Sequence, residues 1–250
     1  MKYIRSFFMS LSMFSVIPAP KYKWDDKNVR HILKFYPLVG VIIGVLWYLI
    51  YMILNYFSIN YILMSAILVA FPVYITGMLH LDGFMDVSDA ILSRRDRETK
   101  IKILKDSCTG AFSVISLVIL IMFEYASVNT ILLEKKEIIF IIFIPIISRS
   151  FSALMILINK DLKASTLTKF FKENTNKFDR ILQIIIISIL IIIIYLLLGI
   201  KYDLILVIMC ICMFYKTYKN VKDLDGINGD VAGYCLITGE LVGLITLALI

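Results

Sequence analysis

The fold class of this chain follows from the sequence ILQIIIISILIIIIYLLLG, Ile181 to Gly199. An α-helix rises about 1.5 Å per residue, so about 20 mostly apolar residues cross the roughly 30 Å hydrocarbon core of a bilayer. No residue in this stretch carries a charge, and Gln183 and Ser188 are its only strongly polar side chains apart from the tyrosine hydroxyl. The stretch therefore predicts a transmembrane helix.

The rest of the chain has the same character. Of its 250 residues, 60% are hydrophobic and 18% are charged, and the mean hydropathy is +0.87. Soluble domains of this size are far less apolar. We therefore predict an all-α, polytopic integral membrane bundle with about six to eight transmembrane helices. Further spans are predicted at Phe35 to Phe57, Tyr61 to Leu79, Ala111 to Leu133, Ile138 to Ile158, Leu204 to Tyr215 and Val231 to Ile250.

The chain shows no repeats, low-complexity tracts or flexible linkers, which predicts one membrane domain over residues 1–250. Residues 1–17 have a basic end and an apolar body without a convincing cleavage site. We expect them to form a retained helix that lies at the membrane interface or is buried. The four cysteines have neither a disulfide nor a zinc spacing, so small core residues are the favoured interpretation.

The net charge of +7 is unevenly distributed among the connecting segments. Basic and neutral segments alternate, as the positive-inside rule requires of a chain that crosses a membrane repeatedly. The basic segments are therefore predicted to face the cytoplasm of a cell-membrane protein, although many of their lysines need do no more than set this orientation. The basic segments are Pro18 to Lys34, with five Lys and Arg residues, Ser93 to Asp106 with six, Asn159 to Arg180 with six and Lys216 to Asp230 with three.

Carboxylates are concentrated in TGMLHLDGFMDVSDAILSRRD, Thr76 to Asp96. Asp82, Asp86 and Asp89 fall within an arc of roughly 60° on one helical face, because a helix turns about 100° per residue. Like charges at this spacing repel, and Mg²⁺ is a natural counter-ion because it binds carboxylates together with substrate phosphates. Gly83 would let a phosphate approach the backbone. An ordinary acidic first turn would explain Asp82 but not Asp89.

A second cluster, KDSCTGAF, follows at Lys105 to Phe112 and predicts a helix start. Asp106 and Ser107, before Gly110, are typical of an N-cap, and the same backbone amides can receive a phosphate. We also predict a direct catalytic or metal-binding role for Asp106. The cations that would neutralise a diphosphate here are Arg94, Arg95 and Lys105.

Three further polar positions lie in or beside apolar segments. Arg149 cannot remain unpaired at membrane depth, and Glu124 is a candidate partner, although substrate contact is an equal alternative. Asp230 opens the final apolar segment, either as an N-cap or as part of the site. His80 is a candidate base or phosphate contact, with a hydrogen-bonded bystander as the alternative.

The segment HLDGFMDVSDAILSRRDRETKIKILKDSCTGAF, His80 to Phe112, resembles the signature of the cobalamin synthases, the adenosylcobinamide-GDP ribazoletransferases of vitamin B12 assembly. Three other stretches agree with that family in order and spacing: FSVIPAP at Phe14 to Pro20, FYPLVGVIIG at Phe35 to Gly44, and GDVAG at Gly229 to Gly233. Members of the family often carry a polar or acidic residue where this chain has Ile237.

The resemblance implies a Mg²⁺-dependent transfer from adenosylcobinamide-GDP to α-ribazole or its 5′-phosphate, with release of GMP. It implies that Asp82, Asp86 and Asp89 hold Mg²⁺ against the diphosphate, with Asp106 as a further ligand or as the base. We expect membrane lipid around the protein and no nucleic-acid partner, and a homo-oligomer is left open. From the residues themselves we further predict Asp82 and His80 among the catalytic groups. Those predicted to bind substrate are Gly83, Arg94, Arg95, Lys105, Ser107, Gly110, Arg149 and Asp230.

Three alternatives fit the residues less well. CDP-alcohol phosphatidyltransferases also use spaced aspartates, but Met85 and Asp86 stand where their Ala-Arg pair belongs. Intramembrane prenyltransferases usually carry two aspartate-rich motifs on separate helices. A transporter would use Glu124, Arg149 and Glu240 as an ion path across the bilayer.

Overall fold

The computed structural model describes residues 2–20, 22, 29, 31–163, 165, 167–173 and 175–250. Most of the basic residues predicted for the first cytoplasmic segment, Lys21, Lys23, Lys27 and Arg30, lie outside these described residues. Regular structure within the described ranges is helical, apart from one isolated bridge between Asp161 and Ile227. The all-α prediction is confirmed.

The described helices are numbered in chain order. A short 3₁₀ helix, Ile138–Ile142, leads directly into α7. The α-helices are α1 (Lys2–Phe14), α2 (Ile32–Tyr56), α3 (Tyr61–Ile75), α4 (Leu79–Leu92), α5 (Arg97–Ile103), α6 (Ala111–Leu133), α7 (Phe143–Ile158), α8 (Leu167–Glu173), α9 (Lys177–Leu198), α10 (Ile200–Leu224) and α11 (Gly229–Leu249).

Five described helical segments are long and apolar enough to cross a membrane: α2, α6, α7 with its 3₁₀ turn, α9 and α11. The pair α3 and α4 also passes when taken together, which gives up to six spans and agrees with a polytopic bundle. The predicted span Leu204 to Tyr215 forms the centre of α10. Helix α10 is not one of the five, since charges at Lys201 and Asp203 and from Lys216 onward leave only a short apolar centre.

The chain turns sharply between α3 and α4. The two helices are bent by 91°, and the turn contains Gly77 and Met78 with φ of 63° and 62°. A left-handed φ is readily available to glycine and interrupts a right-handed helix. The span predicted for Tyr61 to Leu79 therefore ends early, and α4 leaves the direction of α3.

Two glycines bring α2 and α7 into backbone contact. A Cβ added to Gly40 would lie 2.5 Å from the Pro145 carbonyl oxygen, and one added to Gly44 would lie 2.2 Å from the Ile142 carbonyl oxygen. Small residues four apart permit this close approach in membrane helices, where apolar side chains gain little by leaving lipid. The crossing anchors α2 in the bundle.

Helix α4 packs along α11 in a similar way. A Cβ on Gly83 would lie 2.8 Å from the Asp230 Cα, and a Cβ on Gly233 would lie 3.2 Å from the His80 carbonyl oxygen. Next to this contact the rings of Phe84 and Tyr234 stack, with centroids 5.3 Å apart and planes inclined by 10°. Two small residues and one aromatic pair thus fix the start of α11 against the aspartate helix.

Three of the predicted cytoplasmic segments meet at one end of the bundle. Arg97 Nε donates to the Asp223 carbonyl oxygen at 3.2 Å, and Lys160 Nζ pairs with Asp225 at 2.7 Å. The hydrogen bond from Lys160 lowers the pKa of the Asp225 carboxyl, and the charge of Arg97 acts in the same direction. Ile227 N donates to the Lys160 carbonyl oxygen at 2.8 Å, which ties the segment after α7 to the start of α11.

The first basic segment joins this end through Lys34, whose Nζ lies 2.7 Å from the Asp179 carboxylate. At the opposite end, Asn129 Nδ2 of α6 donates to Ser65 Oγ of α3 at 3.2 Å, and Lys135 and Lys136 after α6 line one cavity with Asn55 and Tyr61. The structure therefore confirms that the basic segments share one end of the bundle. That this end faces the cytoplasm stays a prediction.

Candidate functional site

The candidate site is a cluster of four carboxylates at the contact of α4 with α11. Asp82 is exposed, whereas Asp86, Asp89 and Asp230 are half-buried. The charges of Asp82, Asp230 and Asp89 all act unfavourably on a charged Asp86 carboxylate. In the described chain none of the four lies within 4 Å of a Lys or Arg nitrogen, so the cluster lacks a direct counter-ion there.

Gly110 brings the segment after α5 to this cluster. A Cβ on Gly110 would lie 1.9 Å from Asp89 Oδ2, so the Asp89 carboxylate occupies the space that a side chain would need. Gly110 is also the N-cap of α6, and no side chain caps that helix. The predicted capping by Asp106 or Ser107 is therefore wrong. Asp106 instead accepts a hydrogen bond from the Cys108 backbone amide at 3.1 Å, because the two residues lie in the same local turn.

Asp230 is likewise free of a capping role. The N-cap of α11 is Asn228, whose Oδ1 accepts from Val231 N at 2.9 Å. Its Nδ2 donates to Asp230 Oδ2 at 2.6 Å. One asparagine thus caps α11 with its carbonyl and holds the Asp230 carboxylate with its amide, which leaves the other oxygen of Asp230 available to the site.

The donor set suits a hard divalent cation. Carboxylate oxygens are the ligands that Mg²⁺ prefers, and mutual repulsion of unpaired carboxylates is relieved by a cation. Among the described residues, however, no group of three or more His, Cys, Asp or Glu side chains is already arranged to hold an ion. This matches the usual mode of Mg²⁺, which takes one or two carboxylates together with substrate phosphates and water.

The predicted phosphate contacts lie at the same end of the molecule. Arg94, Arg95 and Lys105 are exposed, and no carboxylate of the described chain lies within 4 Å of their charged groups. Arg97 and Lys100 are instead occupied by the end of α10, where Lys100 pairs with Asp223 at 3.2 Å. Asp106 and Ser107 are exposed in the turn before α6. The three free cations are available to an anionic ligand.

Gly83 and His80 lie in packed surroundings. The face of Gly83 is filled by the backbone of Asp230, as described above. By the geometry of the helix, His80 lies about 180° to 240° around α4 from the three aspartates. It is buried, and its Nε2 lies 3.1 Å from the Tyr36 hydroxyl oxygen. Catalytic or phosphate-binding roles for these two residues stay predictions.

Arg149 pairs with Glu240 of α11, so the suggested partner Glu124 is wrong. Arg149 is 1% exposed, and its Nη1 also donates to Ser148 Oγ at 2.9 Å. Ser148 in turn donates to Glu240 at 2.7 Å. The sequence could not rank the two glutamates, since their depths depend on how α6 and α11 pack against α7.

Glu124 lies nearby without joining the pair. It shares with Arg149, Glu240 and His80 the walls of a cavity of about 20 Å³, which has room for about one water molecule. Glu124, Arg149 and Glu240 thus line one small buried cavity, whereas an ion path would need such groups at successive depths between the two ends of the bundle. The arrangement does not favour the transporter alternative.

Sequence reasoning missed the partners Tyr36 and Tyr234. Tyr36 lies in the quoted stretch Phe35 to Gly44, and Tyr234 follows Gly233 directly. Each is an aromatic residue with a polar end beside a glycine-containing segment, but that pattern is also typical of ordinary membrane helices. Only packing against α4 distinguishes them.

The fold and the site define a multi-pass helical membrane protein whose described residues place a carboxylate cluster and exposed cations at one end. Residues 6–248 match the family model described as cobalamin-5-phosphate synthase. The chain is 48% identical over 242 residues to the adenosylcobinamide-GDP ribazoletransferase of Clostridium perfringens strain SM101, covering 97% of this chain and 96% of the relative.

Two further relatives carry the same name. That of Clostridium botulinum strain Alaska E43 is 43% identical over 245 residues, covering 98% of this chain and 97% of the relative. That of Lachnoclostridium phytofermentans is 30% identical over 243 residues, covering 97% and 92%. No solved structure matches the chain. The chain belongs to the cobalamin synthase family, the adenosylcobinamide-GDP ribazoletransferases, and is a transferase of cobalamin biosynthesis.

Proposed function

We propose that this protein joins adenosylcobinamide-GDP to α-ribazole, or to its 5′-phosphate, in a Mg²⁺-dependent reaction at the carboxylate cluster. A ribose hydroxyl oxygen of the acceptor forms a bond to the phosphorus that carries cobinamide. The bond from that phosphorus to the bridging oxygen breaks, and GMP leaves with that oxygen. The products are GMP and adenosylcobalamin, or its 5′-phosphate.

The observation that carries this proposal is the meeting of Asp82, Asp86, Asp89 and Asp230 without a described counter-ion. Phosphoryl transfer depends on positioning and on neutralisation of charge. Bound Mg²⁺ would neutralise the diphosphate and polarise its phosphorus centre. The donor set fits this ion, with Asp82, Asp86 and Asp89 as its proposed ligands.

The remaining roles are assigned to residues at the same end of the bundle. Arg94, Arg95 and Lys105 bind the phosphate oxygens that the metal leaves uncovered, because they are exposed and free of carboxylate partners. Asp106 is the proposed base for the acceptor hydroxyl, or a further metal ligand. It precedes Gly110, against which Asp89 lies. The basic segments orient this end toward the cytoplasm of the cell membrane.

The direct test uses the purified full chain in detergent or nanodiscs. Incubation with adenosylcobinamide-GDP, α-ribazole and Mg²⁺ is expected to form GMP and the cobalamin product in equal amounts. Chelation of Mg²⁺ is expected to stop both. A folded protein that forms neither product would refute the proposed reaction, and undiminished turnover in excess chelator would refute its dependence on metal.

A further inference from the structure

A second cavity adjoins the carboxylate cluster. Its volume is about 250 Å³, close to the lower limit of roughly 300 Å³ for small-molecule pockets. It lies among α1, α2, α4, α7, α8 and α11, and Asp230 forms part of its wall. Asp230 therefore belongs both to this cavity and to the charged cluster.

The walls of the cavity suit a flat, apolar, aromatic group. Phe14, Tyr36 and Phe171 are buried aromatic residues in its lining, and Ile156 adds an aliphatic face. The rings of Phe14 and Tyr36 lie 4.1 Å apart between centroids. Aromatic walls favour an aromatic ligand through stacked or edge contacts.

The cavity also offers a hydrogen bond. Ser152 is 2% exposed and lines this space. Its hydroxyl can donate a hydrogen bond to a ligand held in the cavity, where competition from water is reduced. A ring nitrogen with a free lone pair would accept this bond.

The charge and the size of the cavity exclude the donor substrate, adenosylcobinamide-GDP. The described lining contains the Asp230 carboxylate but neither Lys nor Arg, so a diphosphate would be repelled there. A corrin ring, with its many amide side chains, is too large and too polar for a space of about 250 Å³. The cavity fits only the smaller, uncharged part of the two substrates.

We propose that this cavity holds the two-ring aromatic base of the acceptor nucleoside, with Ser152 donating a hydrogen bond to its free ring nitrogen. A nucleoside bound in this way places its ribose beside Asp230 and directs a hydroxyl toward the carboxylate cluster. The assignment rests on the proposed function, since the base in question is the dimethylbenzimidazole of α-ribazole.

The kinetic test compares Ile156→Phe with Ile119→Phe. Ile156 lines the cavity, whereas Ile119 is exposed on the outer surface of α6. Ile156→Phe is expected to raise KM for α-ribazole by about tenfold or more, with KM for adenosylcobinamide-GDP unchanged, because the new ring occupies the space of the base. Ile119→Phe is expected to keep both constants.

Two outcomes distinguish a failure of the proposed function from a failure of the cavity assignment. Absence of product from the wild-type protein would refute the proposed function, and the cavity assignment with it. Normal wild-type turnover together with an unchanged acceptor KM in Ile156→Phe would refute the cavity assignment alone.

If Ile156→Phe does not fold, a labelling experiment tests whether α-ribazole occupies the cavity. Ser152→Cys is nearly isosteric, and it is studied in a Cys108→Ser background because Cys108 is exposed. Saturating α-ribazole is expected to slow alkylation of residue 152 by a small thiol reagent, measured by mass spectrometry. No slowing would refute the assignment. Equal slowing by adenosylcobinamide-GDP alone would assign the cavity to the donor and would also refute it.

Discussion

At the scale of single residues, the Asp86 carboxylate is the centre of the cluster, because three other carboxylates act on it. Its half-buried position reduces screening by water, which makes the repulsion and its relief by a cation stronger than at an exposed site. The neighbouring Asp82 is exposed and is better placed to meet an incoming ligand. Asp82 and Asp86 lie on the same face of α4, but their different exposure favours different roles.

Asp86→Asn tests the metal-binding role directly. The change keeps the shape of the side chain and removes its charge, so we expect the rate to fall on the order of 100-fold, with a higher Mg²⁺ concentration needed for half-maximal activity. Steady-state assays over a Mg²⁺ titration measure both effects. The matched control is Glu98→Gln, an exposed acidic residue on α5, which should keep the wild-type rate. A near-normal rate of Asp86→Asn at limiting Mg²⁺ would contradict the assignment.

The Arg149 and Glu240 pair makes a second prediction at this scale. Glu240→Ala leaves a fully buried guanidinium without its carboxylate, which is expected to cost about 3–5 kcal/mol of stability. Thermal denaturation in detergent should show a clearly lower melting temperature. The double variant Arg149→Met, Glu240→Leu removes both charges and should regain most of the loss, since buried ion pairs are often replaceable by apolar residues. A double variant no more stable than Glu240→Ala would show that an unpaired charge is not the cause.

At the scale of helices, glycines determine which elements come into contact. Gly40 and Gly44 hold α2 against α7, and Gly83 and Gly233 hold α4 against α11. The second contact positions the carboxylate cluster, because it brings Asp230 beside the aspartates of α4. The bend at Gly77 and Met78 is equally important, since a straight continuation of α3 would carry α4 away from α11.

Gly44→Ala tests the first of these crossings. The added Cβ would lie 2.2 Å from the Ile142 carbonyl oxygen, so α2 and α7 must separate. We expect a loss of about 1–3 kcal/mol, seen as a lower melting temperature in detergent. Gly229→Ala is the matched control for stability, because its Cβ would meet no atom within 4 Å. Equal melting temperatures for the two variants would contradict the proposed crossing.

At the scale of the whole molecule, hydrogen bonds and ion pairs gather the basic segments at one end. Arg97, Lys100 and Lys160 all contact residues between Lys222 and Asp225. The carboxylate cluster lies at the same end, because α4 and the start of α11 connect directly to these segments. A charged substrate would therefore meet the cations and the carboxylates from one side of the membrane.

Cysteine labelling in cells tests the predicted orientation. In a Cys108→Ser background, Lys163→Cys should react with a membrane-impermeant maleimide only after the cells are permeabilised, because its segment is predicted to be cytoplasmic. Glu137→Cys, at the opposite end, should react in intact cells. The reverse pattern would overturn the orientation and place the site on the outside.

The fold class, the alternation of basic segments and the aspartate face of α4 could all be predicted from the sequence. These features depend on hydropathy, charge and helical period, which are local properties of the chain. Hydropathy also predicted the bounds of α6, which begins at Ala111 and ends at Leu133. The sequence misassigned the N-cap of α6, because Gly110 is that N-cap and no side chain caps the helix.

The contacts between distant groups depend on how the helices pack and could not be predicted from the sequence. The packing placed Asp230 beside Asp86, paired Arg149 with Glu240 instead of Glu124, and formed the cavity that contains Ser152. Each of these contacts joins residues on different helices, and the bend between α3 and α4 and the glycine crossings set their relative depth and rotation. Helical periodicity fixes the face on which a side chain lies, but it does not fix which helix that face will contact.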